Sequence, residues 1–360
     1  MGQGDRQADS PPDLYDRLLQ RMHAYSSELA NGFTNHAPMV VEVLFALGHG
    51  DLADAWLDRY LPGARPNAAP AEPVAERNWR DELGSPAREA AWLARFRNDI
   101  AAHGWRAALD VWTQRLAPGF AAAAAHGVIR TAHATRALAQ RDTPPRRAEL
   151  AAGLALWAST WLVLPGDPLA RSGTLNAGDA LAAVPLVPAA KRRNGGAITN
   201  ALTVLADEPG FARALGALAP ARSADELSST LAGAFADTFL DQVHSTSHAI
   251  VFTHAITGVA AARRLAPWVG QDSTLSLLAY AWQTGAALHA CFSDPQATGS
   301  RPDARVSDGI ALEALVEAAV RHGDEHVIKL AEACLEFYRV SGDPRFPAVV
   351  ARALEVVPRD

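Results

Sequence analysis

What is scarce in this 360-residue chain excludes more than what is plentiful. Cysteine occurs only as Cys291 and Cys334, both in apolar surroundings. That leaves no disulfide framework and no Cys-x-x-Cys loop for a structural metal or redox role, and it fits a reducing, cytoplasmic setting. The longest apolar run, 150–164, is interrupted by Ser159 and Thr160 and stops at Pro165, short of the roughly 20 residues a membrane span needs. No basic stretch followed by an apolar one opens the chain; residues 1–12 are polar, end in Ser10-Pro11-Pro12 and read as a loose tail ahead of a folded unit at 13–358. Arginines are scattered singly among acids and the formal net charge is −6, so the electropositive footprint of a nucleic-acid binder is missing. Also missing are a His-Glu-x-x-His pair, a His-Asp dipeptide, paired Glu-x-x-His motifs, a Gly-x-Gly-x-x-Gly turn and a P-loop, which removes the commonest helical metal sites and a Rossmann-bound nicotinamide or flavin. Lysine is the last scarcity: of 33 basic residues only Lys191 and Lys329 are not arginine. In a chain that uses arginine wherever it serves, a retained lysine calls for a chemical reason.

What is present points to helices. Apolar residues make up 49% and charged residues 20% of the chain, the balance of a folded globular protein. Ala, Leu, Arg and Glu dominate at three- and four-residue spacing, while sustained alternation of β-branched residues is absent. The pattern predicts an all-α fold, a single large multi-helix domain. Helices are expected at 14–30, 38–47, 51–60, 87–102, 105–116, 119–139, 147–161, 199–206, 211–218, 224–241, 247–265, 275–291, 308–322 and 324–340, with a short last one at 345–357. A Pro/Gly-rich loop at about 165–196 is either a lid over a site or a surface excursion.

Twelve histidines are the residues that could carry chemistry. His36 follows the capping residues Thr34 and Asn35 and precedes Pro38, so it falls at a helix N-terminus, where the dipole keeps an imidazole neutral. His126, Arg130 and His133 share one helical stripe with no acid in the predicted helix, which points to an internal polar surface. His254 shares a face with Val251, Gly258, Ala261 and Leu265, a buried stripe whose glycine admits a close neighbour; His248 lies about 120° away on the same wheel and cannot easily join it. Asp324 can cap a helix that places His326 and Lys329 one turn apart, with Glu325, Glu332, Glu336 and Arg339 read as its solvent side. A snorkelling surface role for Lys329 is the alternative that geometry alone favours.

Taken together, Asn35-His36-Ala37-Pro38-Met39-Val40-Val41-Glu42, His126-Gly127-Val128-Ile129-Arg130, His254-Ala255-Ile256-Thr257-Gly258 and Asp324-Glu325-His326-Val327-Ile328-Lys329, in that order along about the whole chain, resemble the questin oxidase-like family. The resemblance implies a tailoring oxygenase that opens a ring of an anthraquinone-like aromatic polyketide with O2. It implies Fe(II) held by His36, His126, His254, His326 and a CO2-derived carbamate on Lys329, with His326, Lys329 and Arg130 at the reacting centre. The family pattern has a histidine where this chain has Arg130, so His133, one turn later, stands in reserve for His126; His248 is a second reserve. Some members are described as NADPH-dependent Baeyer–Villiger-type oxidases, the second reading; no motif here supports NADPH. A third is a non-catalytic helical protein that binds a polyketide. Trp157, Trp161, Trp282 and Phe292 are candidate walls for a flat substrate.

Overall fold

The computed structural model describes residues 13–193, 195–297 and 312–359. The tail at 1–12 and the opening of the helix expected at 308–322 lie outside the described residues. The fold is all-α: helices α1 (Leu14–Met22), α2 (Ala37–Ala46), α3 (Ala53–Tyr60), α4 (Glu89–His103), α5 (Trp105–Leu116), α6 (His126–Gln140), α7 (Pro144–Ser159), α8 (Ala177–Ala182), α9 (Ile198–Leu202), α10 (Pro209–Ala214), α11 (Ala224–Gln242), α12 (Thr246–Leu265), α13 (Gln271–Phe292), α14 (Leu312–His322), α15 (Glu325–Ser341) and α16 (Arg345–Val356), with one small antiparallel sheet of β1 (Tyr25–Leu29) and β2 (Ala64–Pro66).

The sheet departs from the expected helix at 14–30. Asp13 caps α1 by accepting from the Asp16 amide at 2.8 Å, but the helix stops at Met22. Beyond it the Ser26 hydroxyl bonds the Glu28 amide at 3.0 Å, a local bond that competes with helical pairing. The extended strand then positions the site. Asn35 donates its amide to Ser27 O (2.7 Å) and its side chain to Ser26 O (3.0 Å), while its Oδ1 accepts from Ala37 N (3.0 Å). His36 is thereby held as the N-cap of α2, with Pro38 in the first turn.

A second departure is the start of α6. The alanine-rich stretch read as helix from 119 makes a short 3-10 turn at Ala117–Gly119 and then a left-handed turn, with φ of 47°, 58° and 71° at Ala123, Ala124 and Ala125. Close packing overrides helix propensity here. A Cβ on Gly127 would lie 2.6 Å from Trp157 Cα, and one on Gly258 would meet Phe120 at 3.3 Å and Ala125 at 3.8 Å. The glycines let α7 and α12 press against α6 and the turn before it.

Segment 165–193 is a tied-down excursion, and α8 forms part of it. Gln283 of α13 donates to the carbonyls of Leu164, Pro165 and Gly166 at 3.1–3.3 Å, and Val187 N bonds Ala290 O at 2.8 Å. Two apolar clusters fill the interior, a large one spanning α4 to α16 and a smaller one centred on α1 to α3. Between them α2, α6, α12 and α15 pack in a closed ring, each against the next.

Candidate metal centre

Each of those four helices contributes one imidazole to a buried cluster. His36 caps α2, His126 is the first residue of α6, His254 lies midway along α12 and His326 is the second residue of α15. Ring centroids run 4.5 Å from His36 to His126, 4.6 Å to His254, 5.8 Å to His326 and 4.7 Å back to His36, a closed cycle. Residues nearly three hundred positions apart thus meet at one point.

The protons on these rings can be placed. Nδ1 of His126 lies 2.5 Å from Ala123 O, and Nδ1 of His254 lies 2.7 Å from Ile250 O. A carbonyl oxygen only accepts, so each Nδ1 carries the hydrogen and each neutral ring presents a bare lone pair at Nε2. Those two Nε2 atoms face one another at 3.2 Å. Two lone pairs at that distance repel unless a cation lies between them, and the cation is a proton or a metal ion. Burial argues against the proton: it lowers the pKa of His254 to about 4 and those of His36, His126 and His326 well below the usual imidazole value, with the Lys329 charge acting in the same direction. Two imidazoles bound at right angles to one ion at about 2.1 Å set their nitrogens roughly 3 Å apart and their centroids about 4.5 Å apart. The 3.2 Å approach and three of the four ring spacings fit that pattern, and the His254–His326 edge is wider.

The backbone bears a cost to create this arrangement. Left-handed alanine is disfavoured by about 1–2 kcal/mol per residue, and the three consecutive cases are the turn that presents Ala123 O to His126. Three helix N-termini, those of α2, α6 and α15, open at the rings. Their positive ends disfavour imidazolium and favour an anionic group among the rings.

Lys329 is buried one turn beyond His326, and its charge acts on all four imidazoles. Burial lowers its pKa to about 8, offset in part by Glu325 and Asp324. The snorkelling alternative is thus overturned: the amine is inside, and among the described residues it has no ion pair.

The other expected residues lie elsewhere. Arg130 turns away from the rings and binds Glu149 of α7 through two bonds of 2.7 and 3.0 Å, with His23 at 3.2 Å from the same carboxylate. His133 gives Nδ1 to Glu42 at 2.7 Å and meets Arg264 at 3.4 Å through Nε2, so His126 takes the place in the cycle and His133 does not. His248 sits near the start of α12 beside Phe252, outside the cycle. The stripe of His126, Arg130 and His133 is internal as expected, with its acids supplied by α2 and α7. Trp157, Trp161 and Trp282 each donate the indole N–H to a backbone carbonyl (Gly119, Leu116 and Leu215) and pack in or against the large core cluster; they serve as core. The solvent side assigned to α15 is also corrected: Glu332 is buried and Glu336 is ion-paired with Arg264. Sequence reasoning missed Glu325 as a neighbour of the rings. Its Oε1 stands 3.5 Å from His36 Nδ1, and it forms with His36 and His326 a group whose ligand atoms lie within 4.8 Å of one another. The sequence signal was its place beside His326 at the first position of a capped helix.

No helix of the described residues is long and apolar enough to cross a membrane. No protein-family model matches the chain, and no curated protein matches it.

Proposed function

We propose that the four imidazoles and Lys329 hold Fe(II), and that the protein is an oxygenase cleaving a ring carbon–carbon bond of an anthraquinone-like aromatic polyketide with O2. The observation that supports a metal is the pair of lone pairs on His126 and His254 facing each other at 3.2 Å. Iron and the substrate class rest on the sequence resemblance. The donor set fits, since neutral imidazole is a ligand for ferrous iron and for neighbouring ions of the first row.

Ferrous iron bound there would supply the activation of dioxygen. The chain's own residues do the rest. Ala123 O and Ile250 O hold the protons of His126 and His254 on Nδ1, so both rings stay donors at Nε2. Lys329, with its pKa near 8, supplies at neutral pH a fraction of the neutral amine, whose nitrogen would add to CO2 and lose one proton to solvent to give a carbamate, an anionic oxygen ligand that arginine cannot provide. The three helix N-termini favour that anion, or an ionised phenol of the substrate. Burial of the rings keeps bulk water out.

Anaerobic titration with Fe(II), metal analysis and oxygen uptake with an anthraquinone substrate form the test. Expected are one ion per chain, oxygen-dependent ring opening without nicotinamide, and loss of both in Lys329→Arg. Failure to bind iron would remove the reading, and an absolute requirement for NADPH would replace it with the Baeyer–Villiger-type alternative.

A further inference from the structure

His126 and His254 each anchor Nδ1 on a backbone carbonyl, but His36 and His326 have no such carbonyl. Their Nδ1 atoms are buried and make no hydrogen bond among the described residues. Both Nδ1 atoms nevertheless lie near one carboxylate: Glu325 Oε1 is 3.5 Å from His36 Nδ1 and 3.9 Å from His326 Nδ1. The two rings meet edge to face with centroids 4.7 Å apart, so one oxygen can stand between the two nitrogens. Asp324 is the competing acid, with Oδ1 at 3.8 Å from His326 Nδ1. That oxygen already accepts the amides of His326 and Val327 at 2.8 and 2.9 Å as the cap of α15, whereas Glu325 lies near both rings.

We propose that Glu325 is the positioning carboxylate of the centre, accepting Nδ1–H from both His36 and His326 and so fixing their Nε2 atoms as unprotonated donors. This rests on the metal reading above and extends it: all four rings then share one tautomer, two oriented by backbone carbonyls and two by one side chain. A small rotation of the carboxylate closes either gap to a charge-assisted hydrogen bond of about 2.8 Å. Outer carboxylates of this kind orient metal-binding imidazoles and raise their basicity, and their loss typically weakens metal binding about 10- to 100-fold. Glu325 also ties α15 to the cap of α2, closing the helix ring where no backbone carbonyl does so.

Two measurements on the full chain test it. In metal-free protein labelled with 15N-histidine, long-range 1H–15N spectra are expected to show His36 and His326 as Nδ1–H tautomers; in Glu325→Ala both should become mixed, and Glu325→Gln, which keeps an acceptor oxygen, should restore them in part. In parallel, titration with Co(II) is expected to show about 10- to 100-fold weaker binding in Glu325→Ala, with the melting temperature unchanged within a few degrees. Nε2–H tautomers in the wild type, or an alanine variant that keeps both tautomers and Co(II) affinity, would overturn the assignment. If the wild type binds no metal, the metal reading falls, and the tautomer spectra still decide the role of Glu325.

Discussion

The same four helices build two buried polar regions, and the regions are opposites. At one level α2, α6, α12 and α15 supply His36, His126, His254 and His326. About two to three turns further along each helix they supply Glu42, then His133 and Arg136, then Arg264, then Glu332 and Glu336. The order is the same in all four, so the helices run parallel through both levels. In the second region every charge has a partner: Glu42 bonds Arg136 at 2.5 Å and His133 at 2.7 Å, Arg136 reaches Glu332 at 2.5 Å, and Arg264 pairs with Glu332 and, at 2.8 Å, with Glu336. Burial pushes the Glu42 carboxyl up, yet Arg136 and His133 outweigh it and hold the pKa at about 2. Among the described residues the first region has lone pair against lone pair, a buried amine without an ion pair and two nitrogens without a hydrogen bond. That the chain satisfies buried charge so fully in one place and not in the other is the contrast that the proposed ion would account for.

The comparison breaks most visibly at Glu42. Glu42→Leu leaves Arg136 with Glu332 alone and removes the carboxylate partner of His133; removing one member of a buried ion pair costs about 3–5 kcal/mol, measured by urea unfolding of metal-free protein. A cost below about 1 kcal/mol would mean that the network is not what sets the two regions apart. The next effect belongs to the rings. A divalent ion at a hundred times its dissociation constant should stabilise the wild type by about 2.7 kcal/mol and leave His126→Ala unmoved. Equal stabilisation of that variant would place the ion elsewhere.

Acid separates the regions by pH window. Metal-free rings stay neutral in the fold, whereas unfolded histidine titrates near 6.5; below that pH the unfolded chain binds more protons and stability falls. For His254 the window runs from 6.5 down to about 4, at about 1.4 kcal/mol per pH unit. Glu42 has its pKa depressed from 4.5 to about 2, so its contribution holds above 4.5 and is lost only as pH falls between those values. Unfolding free energies from pH 7.5 to 3 should therefore decline in two stages, and a bound metal should delay the first. A flat profile between pH 6.5 and 5 would show that the rings are not held neutral by burial.

Much of this was legible in the sequence, and the failures share a cause. Helical spacing revealed the fold class because each helix buries one face, and the histidines stood out because they interrupt such faces. The start of α6 was not legible: alanine has the highest helix propensity, so 121–125 reads as helix, and only the press of Trp157 and Phe120 against Gly127 and Gly258 forces the left-handed turn. Nor could a wheel choose between His126 and His133 or set Glu332 inside, because the partners that decide both, Glu42, Arg136 and Arg264, come from other helices. The tautomers lay further still from view, since they depend on where two backbone carbonyls end up.

The smallest expected effect is the most diagnostic. If the rings are unsatisfied without an ion, replacing one by an apolar side chain of similar reach removes a lone-pair clash and a buried polar group and gives up only packing. His254→Leu in metal-free protein should then be neutral or stabilising, within about 1 kcal/mol of the wild type at pH 7.5, while abolishing the stabilisation that added metal gives. A core histidine serving only as a hydrogen-bonding element behaves the other way: its loss takes the side-chain donor from Ile250 O and disturbs the packing of α12 on α6, at a cost of about 1–3 kcal/mol. Urea midpoints of the two proteins, with and without Zn(II), separate these outcomes. A destabilisation of the second size, unaffected by metal, would make the quartet ordinary core and leave the fold without a centre.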